Sequence, residues 1–189
     1  IVENYQNKMK IMPFCFLSKT ILYLLKISQK MKRYLILEDG TTYEGKAIGA
    51  NRESIGELVF NTGMSGYQES ITDQSYNGQI LMFTYPLIGN YGVNRDDLES
   101  VKSSCFGVVV HEVARRASNW QMNMSFEEFF VYQDLPGISG VDTRAITRHI
   151  REHGAMKAAL VNEISDAKFE EFHATNLIQN QIEISSTHS

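Results

Sequence analysis

The chain has 189 residues, 43% hydrophobic and 21% charged, so it can bury a real core and belongs with globular rather than disordered proteins. Its formal net charge is −4, and residues 31–189 carry 13 basic against 21 acidic side chains, a balance that excludes general nucleic-acid binding, which needs a basic face for phosphates. Two cysteines, Cys15 and Cys105, are too few for a disulfide framework and fit a reducing, cytoplasmic setting.

Residues 1–30 differ from the rest, with five lysines against Glu3. The apolar stretch Ile11–Leu25 contains Pro13 and Lys19 and falls short of the ~20 residues that cross a bilayer, so no membrane association is expected. Lys8 and Lys10 precede apolar residues as in a signal peptide, but Lys19 interrupts the run and no small-residue cleavage site follows. We expect residues 1–30 to be an upstream leader outside the fold, which begins at Met31.

Arg33–Glu38 and Thr41–Ile48 alternate in polarity around Asp39-Gly40, which predicts a hairpin with a two-residue type I′ turn. Leu58–Phe60 and Ile80–Tyr85 read as short strands. Gly63, Gly66, Gly78, Gly89 and Gly92 lie between and after them with Asn61, Asp73, Asn77 and Asn90, a composition for shaped loops on which binding residues usually sit. Cys105–His111 is a buried-strand candidate, and Ser125–Tyr132 a short helix with a capping box between Ser125 and Glu128.

Leu135–Gly140 reads as a loop. It leads into a helix capped by Asp142 or Thr143, buried through Ile146 and Ile150, and stopped by Gly154. Lys157–Val161 predicts another strand and Ser165–Ala174 a last helix. Strands and helices mix without regular βαβ alternation, so the pattern supports a mixed α/β fold and excludes a plain doubly wound sheet.

Four groups are candidates for chemistry. Cys105 follows Ser103-Ser104 and enters an apolar strand, the setting of an inert structural thiol rather than a nucleophile. His149 and His153 are four apart on a helix, but H-E-x-x-H is absent and no third ligand stands near, so solvated histidines are favoured over a metal site. Gly63-x-x-Gly66 and Gly89-x-x-Gly92 lack the following Lys-Ser/Thr of a P-loop, and ATP binding by this chain is not supported. Arg144, Arg148 and Arg151 share one helix face, which suits either solvent with local ion pairs, for instance to Glu152, or an acidic partner surface.

The blocks G-E-L-V-F-N-T (56–62), M-S-G-Y-Q-E (64–69), T-D-Q-S-Y (72–76), T-Y-P-L-I-G-N-Y-G-V-N (84–94) and G-V-D-T-R-A-I-T-R (140–148) occur in order. Together they closely resemble the N-terminal domain of the small subunit of glutamine-hydrolysing carbamoyl-phosphate synthetase, from about Met31 to about Asn176. The resemblance implies a swivelling β/β/α-type domain over 31–175, with 176–189 opening an interdomain linker and the amidotransferase domain absent. It implies that Ser75 contacts the glutamine substrate, where the residue types alone favour a loop serine bonded to backbone near Asp73. Gln74 stands where the family commonly has proline, which loosens that loop.

The resemblance also makes the Arg144, Arg148 and Arg151 face a candidate contact with the large subunit. In the family the Cys–His–Glu glutaminase triad lies in the amidotransferase domain, and ATP and Mg are used by the large subunit. The expectation is therefore a docking component of a cytoplasmic ligase of pyrimidine and arginine biosynthesis, with no cofactor of its own and inactive alone. Two other readings stand beside it: a stand-alone interaction module, and an unrelated hydrolase using Cys105.

Overall fold

A computed structural model describes residues 31–90, 103–114 and 124–164. The expected helix at Ser165–Ala174, residues 1–30, the tail and the 91–94 end of the fourth sequence block lie outside the described residues.

Seven strands close into a barrel in the order β1-β2-β8-β6-β4-β3-β9. They are β1 (Lys32–Leu37), β2 (Thr42–Gly49), β3 (Ser54–Asn61), β4 (Gln79–Phe83), β6 (Gly107–Val110), β8 (Pro136–Ser139) and β9 (Met156–Val161). Strands β3, β4, β6 and β8 run parallel to one another, while β1, β2 and β9 complete the wall antiparallel. The short β5 (Leu87–Ile88) and β7 (Glu112–Val113) pair outside the barrel. Three helices complete the described fold: α1 (Tyr67–Thr72), α2 (Phe126–Tyr132) and α3 (Thr143–His153). It is a mixed α/β fold, and no helix among the described residues is long and apolar enough to cross a membrane.

The strands have two buried faces, which is why β4 and β6 read as continuous apolar runs rather than alternating ones. One face fills the barrel with Leu35, Leu37, Leu58, Ile80, Met82, Val109, Ile138, Ala158 and Leu160. Ile146 and Ile150 of α3 join this cluster and stopper one mouth of the barrel. The other face carries Leu81, Phe83, Val108 and Val110 into a second core under α1 and α2, with Tyr67, Ile71, Phe126, Phe129 and Phe130. Tyr67 meets Phe83 edge-on at 5.3 Å and Phe126 meets Phe130 at 4.8 Å, the geometry aromatic quadrupoles prefer.

Arg33 shares the inward register of Leu35 and Leu37 and is fully buried at the opposite mouth. Its guanidinium donates to the carbonyls of Gly137 and Ala50, each at 3.1 Å, and to Asn162 Oδ1 at 3.0 Å. Three acceptors on three separate segments bind a charge that burial would otherwise make costly.

Three expectations change. The first hairpin has a three-residue loop: Ile36 pairs with Thr42, Leu37 and Thr41 close the turn, and Gly40 at φ 84° carries the left-handed conformation alone. Asp39 keeps a negative φ because its side chain accepts from Thr41 N–H at 2.9 Å, so a type I′ turn does not form. Leu135–Gly140 is not a loop, because Pro136–Ser139 is strand β8 in the barrel wall between β2 and β6. Its proline opens the strand, where a missing N–H is tolerated, and Gly137 lets Ile48 and the Val108 carbonyl approach to about 3 Å of where a Cβ would stand. Within the glycine-rich stretch expected to be loop, residues 67–72 form α1, too short and too glycine-flanked for periodicity to declare it.

The helix signals hold. Ser125 Oγ accepts from Glu128 N–H while Glu128 accepts from Ser125 N–H, a complete capping box on α2. Asp142 caps α3 through Ala145 N–H at 2.9 Å, and Gly154 ends it.

Candidate functional site

The four parallel strands all point their C-terminal ends at one place. Thr62 leaves β3, Thr84 and Pro86 follow β4, His111 leaves β6, and Asp142 caps α3 just after β8. Together with Thr143, Arg144, Thr147, Arg148 and Arg151 these residues line a cleft of about 530 Å³. Crevices beyond the carboxyl ends of parallel strands are the usual ligand position in α/β sheets, because loops diverge there on a rigid support.

The α3 side of the cleft is the arginine row seen in the sequence. Ile146, Thr147 and Ile150 face the barrel, which turns Arg144, Arg148 and Arg151 outward along one edge. All three are exposed. Among the described residues none of them, nor Glu152, takes part in an ion pair, so the local pairing that the sequence left open does not form there. The Arg151 guanidinium lies 5.4 Å from the Phe60 ring centre, a cation–π contact that steadies that end of the row.

Two of the hydroxyls that line the cleft are already used. Thr147 Oγ donates to the Thr143 carbonyl at 2.7 Å, and Thr84 Oγ donates to the Asn61 carbonyl at 3.3 Å. His111 Nδ1 donates to the Val141 carbonyl at 2.9 Å, since a carbonyl oxygen can only accept, and ties the end of β6 to the β8–α3 connection. Thr62, Thr84 and His111 were invisible as site residues in sequence, because only barrel closure brings four strand ends together.

Ser75 lies elsewhere. It sits exposed on a 3₁₀ turn, Gln74–Tyr76, which precedes β4, whereas the cleft lies past the end of β4. Ser75 N–H donates to Asp73 Oδ1 at 2.9 Å. Hydrogen bonds from the Ser75 hydroxyl and N–H hold the Asp73 carboxyl below its ordinary value. The structure thus does not unite Ser75 with the arginines.

Cys105 is 3% exposed, in the turn before β6, packed into the core under α1 and α2. Burial pushes its thiol up to about 11, which makes it a poor nucleophile. His149 and His153 stack with ring centres 4.4 Å apart, but His149 Nε2 is taken by Asp39 and His153 Nδ1 donates to the His149 carbonyl. No group of three His, Cys, Asp or Glu among the described residues could hold a metal ion.

Residues 35–160 match the family "Carbamoyl-phosphate synthase small chain, CPSase domain". The chain belongs to this family. Over 158 residues it is 65% identical to the carbamoyl phosphate synthase small chain of Lactococcus lactis subsp. cremoris, covering 82% of this chain and 44% of that one. It is 60% identical over 159 residues to the carbamoyl phosphate synthase pyrimidine-specific small chain of Lactiplantibacillus plantarum, covering 84% and 44%. The chain therefore spans less than half the length of these small chains. A solved aminopeptidase from Aneurinibacillus sp. strain AM-1 matches at TM-score 0.41 and 16% identity over 77% of this chain and 38% of its own, too slight to bear on function.

Proposed function

We propose that this chain is the N-terminal, docking part of a carbamoyl phosphate synthase small chain. The observation that carries the reading is the family match across 35–160, the segment that builds nearly all of the barrel and the arginine cleft. In this reading the domain takes the swivelling β/β/α role, binds the large subunit through the face of Arg144, Arg148 and Arg151, and sets Ser75 against glutamine held mainly by an amidotransferase domain. The complete cytoplasmic enzyme then supplies ammonia from glutamine for carbamoyl phosphate, at the head of pyrimidine and arginine biosynthesis. ATP and Mg serve the large subunit.

Among the described residues the chemistry agrees with a non-catalytic part. Cys105 is buried with its proton held, and neither described histidine on α3 lies beside it as a base. The 189-residue chain is expected to form a complex with a carbamoyl phosphate synthase large subunit, measured by size-exclusion chromatography with light scattering. It is expected to release no ammonia from glutamine alone. Ammonia release that survives Cys15→Ala but is lost in Cys105→Ala would favour a hydrolase. Failure to form the complex would overturn the docking reading.

A further inference from the structure

The arginine cleft has a definite chemistry, and it selects among anions. Arg144 and Arg151 are seven residues apart on α3, a rise of about 10 Å, with Arg148 between them. Such a row presents several guanidinium forks in line, each able to take a carboxylate bidentately.

A compact phosphate needs the opposite arrangement, many donors converging on one point. Several of the side chains that could converge here are already engaged. The hydroxyl protons of Thr84 and Thr147 go to backbone carbonyls, and His111 Nδ1 is held by Val141. The first turn of α3 is capped by the Asp142 carboxylate, which places a negative charge where a phosphate would seek the helix N-terminus.

The segments that continue from the lining residues add an apolar signal. Pro86 lines the cleft and Leu87 follows it, exposed at 36%. Met64, 70% exposed, stands two residues beyond the lining residue Thr62 on the β3–α1 loop. Arginine and methionine are enriched where proteins meet. The chain as a whole is acidic, so this basic row is a local exception to which an acidic segment would be steered.

We propose that the cleft is the seat of an acidic peptide segment of the partner subunit, extended along α3 with successive carboxylates on Arg144, Arg148 and Arg151 and apolar side chains against Pro86, Leu87 and Met64. This rests on the docking reading above and gives its chemistry. The orientation is set by Asp142, which repels carboxylates at the N-terminal end of the helix and leaves the segment's charges to the arginine row.

The test is the complex of the 189-residue chain with the large subunit, followed by surface plasmon resonance across a salt series. The variants are a triple exchange, Arg144→Glu with Arg148→Glu and Arg151→Glu, and a milder triple exchange to Gln. Lys32→Glu, on the outside of β1, serves as the charge control. Circular dichroism and thermal melting check that each variant folds.

The expected result is an affinity loss of at least 100-fold for the Glu triple and about tenfold or more for the Gln triple. The salt dependence should flatten in both, and Lys32→Glu should bind as the parent does. A parent chain that binds while both triples bind equally well, with unchanged salt dependence, would overturn the acidic-segment proposal and leave docking intact. A parent chain that does not bind at all overturns the docking reading and this proposal with it. Displacement of the partner by millimolar pyrophosphate, beyond the effect of sodium chloride at equal ionic strength, would reassign the cleft to phosphate and also overturn the proposal.

Discussion

Asp39, at the tip of the first hairpin, meets His149 of α3 with Oδ2 and Nε2 2.5 Å apart, across 110 positions of sequence. The contact fastens the β1–β2 turn to the helix that closes the barrel mouth, and so sets the line along which the arginines of the same helix stand. Asp39 carries two duties, because Oδ1 also accepts from Thr41 N–H. Desolvation works to raise the Asp39 carboxyl, but the Thr41 N–H and hydroxyl and then His149 outweigh it and hold the carboxyl below its ordinary value.

That arrangement predicts a double-mutant cycle. Asp39→Asn retains an oxygen for Thr41 but loses the charge facing His149, and His149→Ala removes the partner. The coupling between them in urea unfolding should be about 0.5 kcal/mol, small because solvent reaches Asp39. A depressed carboxyl binds fewer protons in the native state than in the unfolded one. Its contribution is therefore present above about pH 4 and is lost as pH falls through the folded value. Stability of the parent chain should fall faster than that of Asp39→Asn below pH 4. Equal acid profiles would show that the contact contributes nothing.

Cys105 predicts the opposite pH sign. Its thiol is held near 11 by burial, above the value of about 8.5 for a free cysteine, so the native state keeps a proton that the unfolded chain releases. The stability linked to it is complete below about pH 8.5 and declines as pH rises toward 11. In a Cys15→Ser background, the folded chain at pH 8 should react with a disulfide reagent about 100-fold more slowly than the chain in urea. Cys105→Ala should cost about 1 to 2 kcal/mol, since the core under α1 and α2 loses a buried sulfur. Rapid reaction of the folded protein would contradict the burial.

The parts of this fold that sequence could show are those that depend on neighbours in the chain. Ser125 with Glu128, and Asp142 with Gly154, announce helix ends because capping is a contact over three or four residues. Strands β3, β4, β6 and β9 were visible as short apolar runs, though with different bounds. The arginine row was visible as a face, yet its cleft was not. Thr62, Thr84 and His111 reach it only because four parallel strands end together, and no local pattern records strand order. Strand β8 was hidden for a related reason: Pro136-Gly137 signals a turn, and only the close approach of Ile48 and Val108 explains glycine in a barrel wall. Arg33 carried a signal that was there to be used, since it keeps the register of Leu35 and Leu37 on the inward face.

Arg33 gives the sharpest stability prediction. Burial pulls its guanidinium down to about 10, with Glu53 opposing and Arg52 reinforcing the fall, so it remains charged at neutral pH. Its three donors hold the Gly137 carbonyl at the head of β8, the Ala50 carbonyl beyond β2, and Asn162 beyond β9. Asn162 passes the link on to Asn51 at 3.0 Å. Arg33→Met fills similar space but removes one donor from each of two backbone carbonyls and from the Asn162 amide oxygen, at an expected cost of about 3 kcal/mol. Arg33→Lys keeps the charge but has a single nitrogen where the fork reaches three acceptors, so it should lose about half as much. Urea unfolding should show both as lower midpoints at unchanged slope, Met below Lys below parent. If the proposed docking on a large subunit holds, that binding should survive in the folded fraction, because Arg33 sits at the barrel mouth opposite the arginine cleft. A Met variant as stable as the parent would mean that shape alone plugs this end of the barrel and that the three hydrogen bonds add nothing.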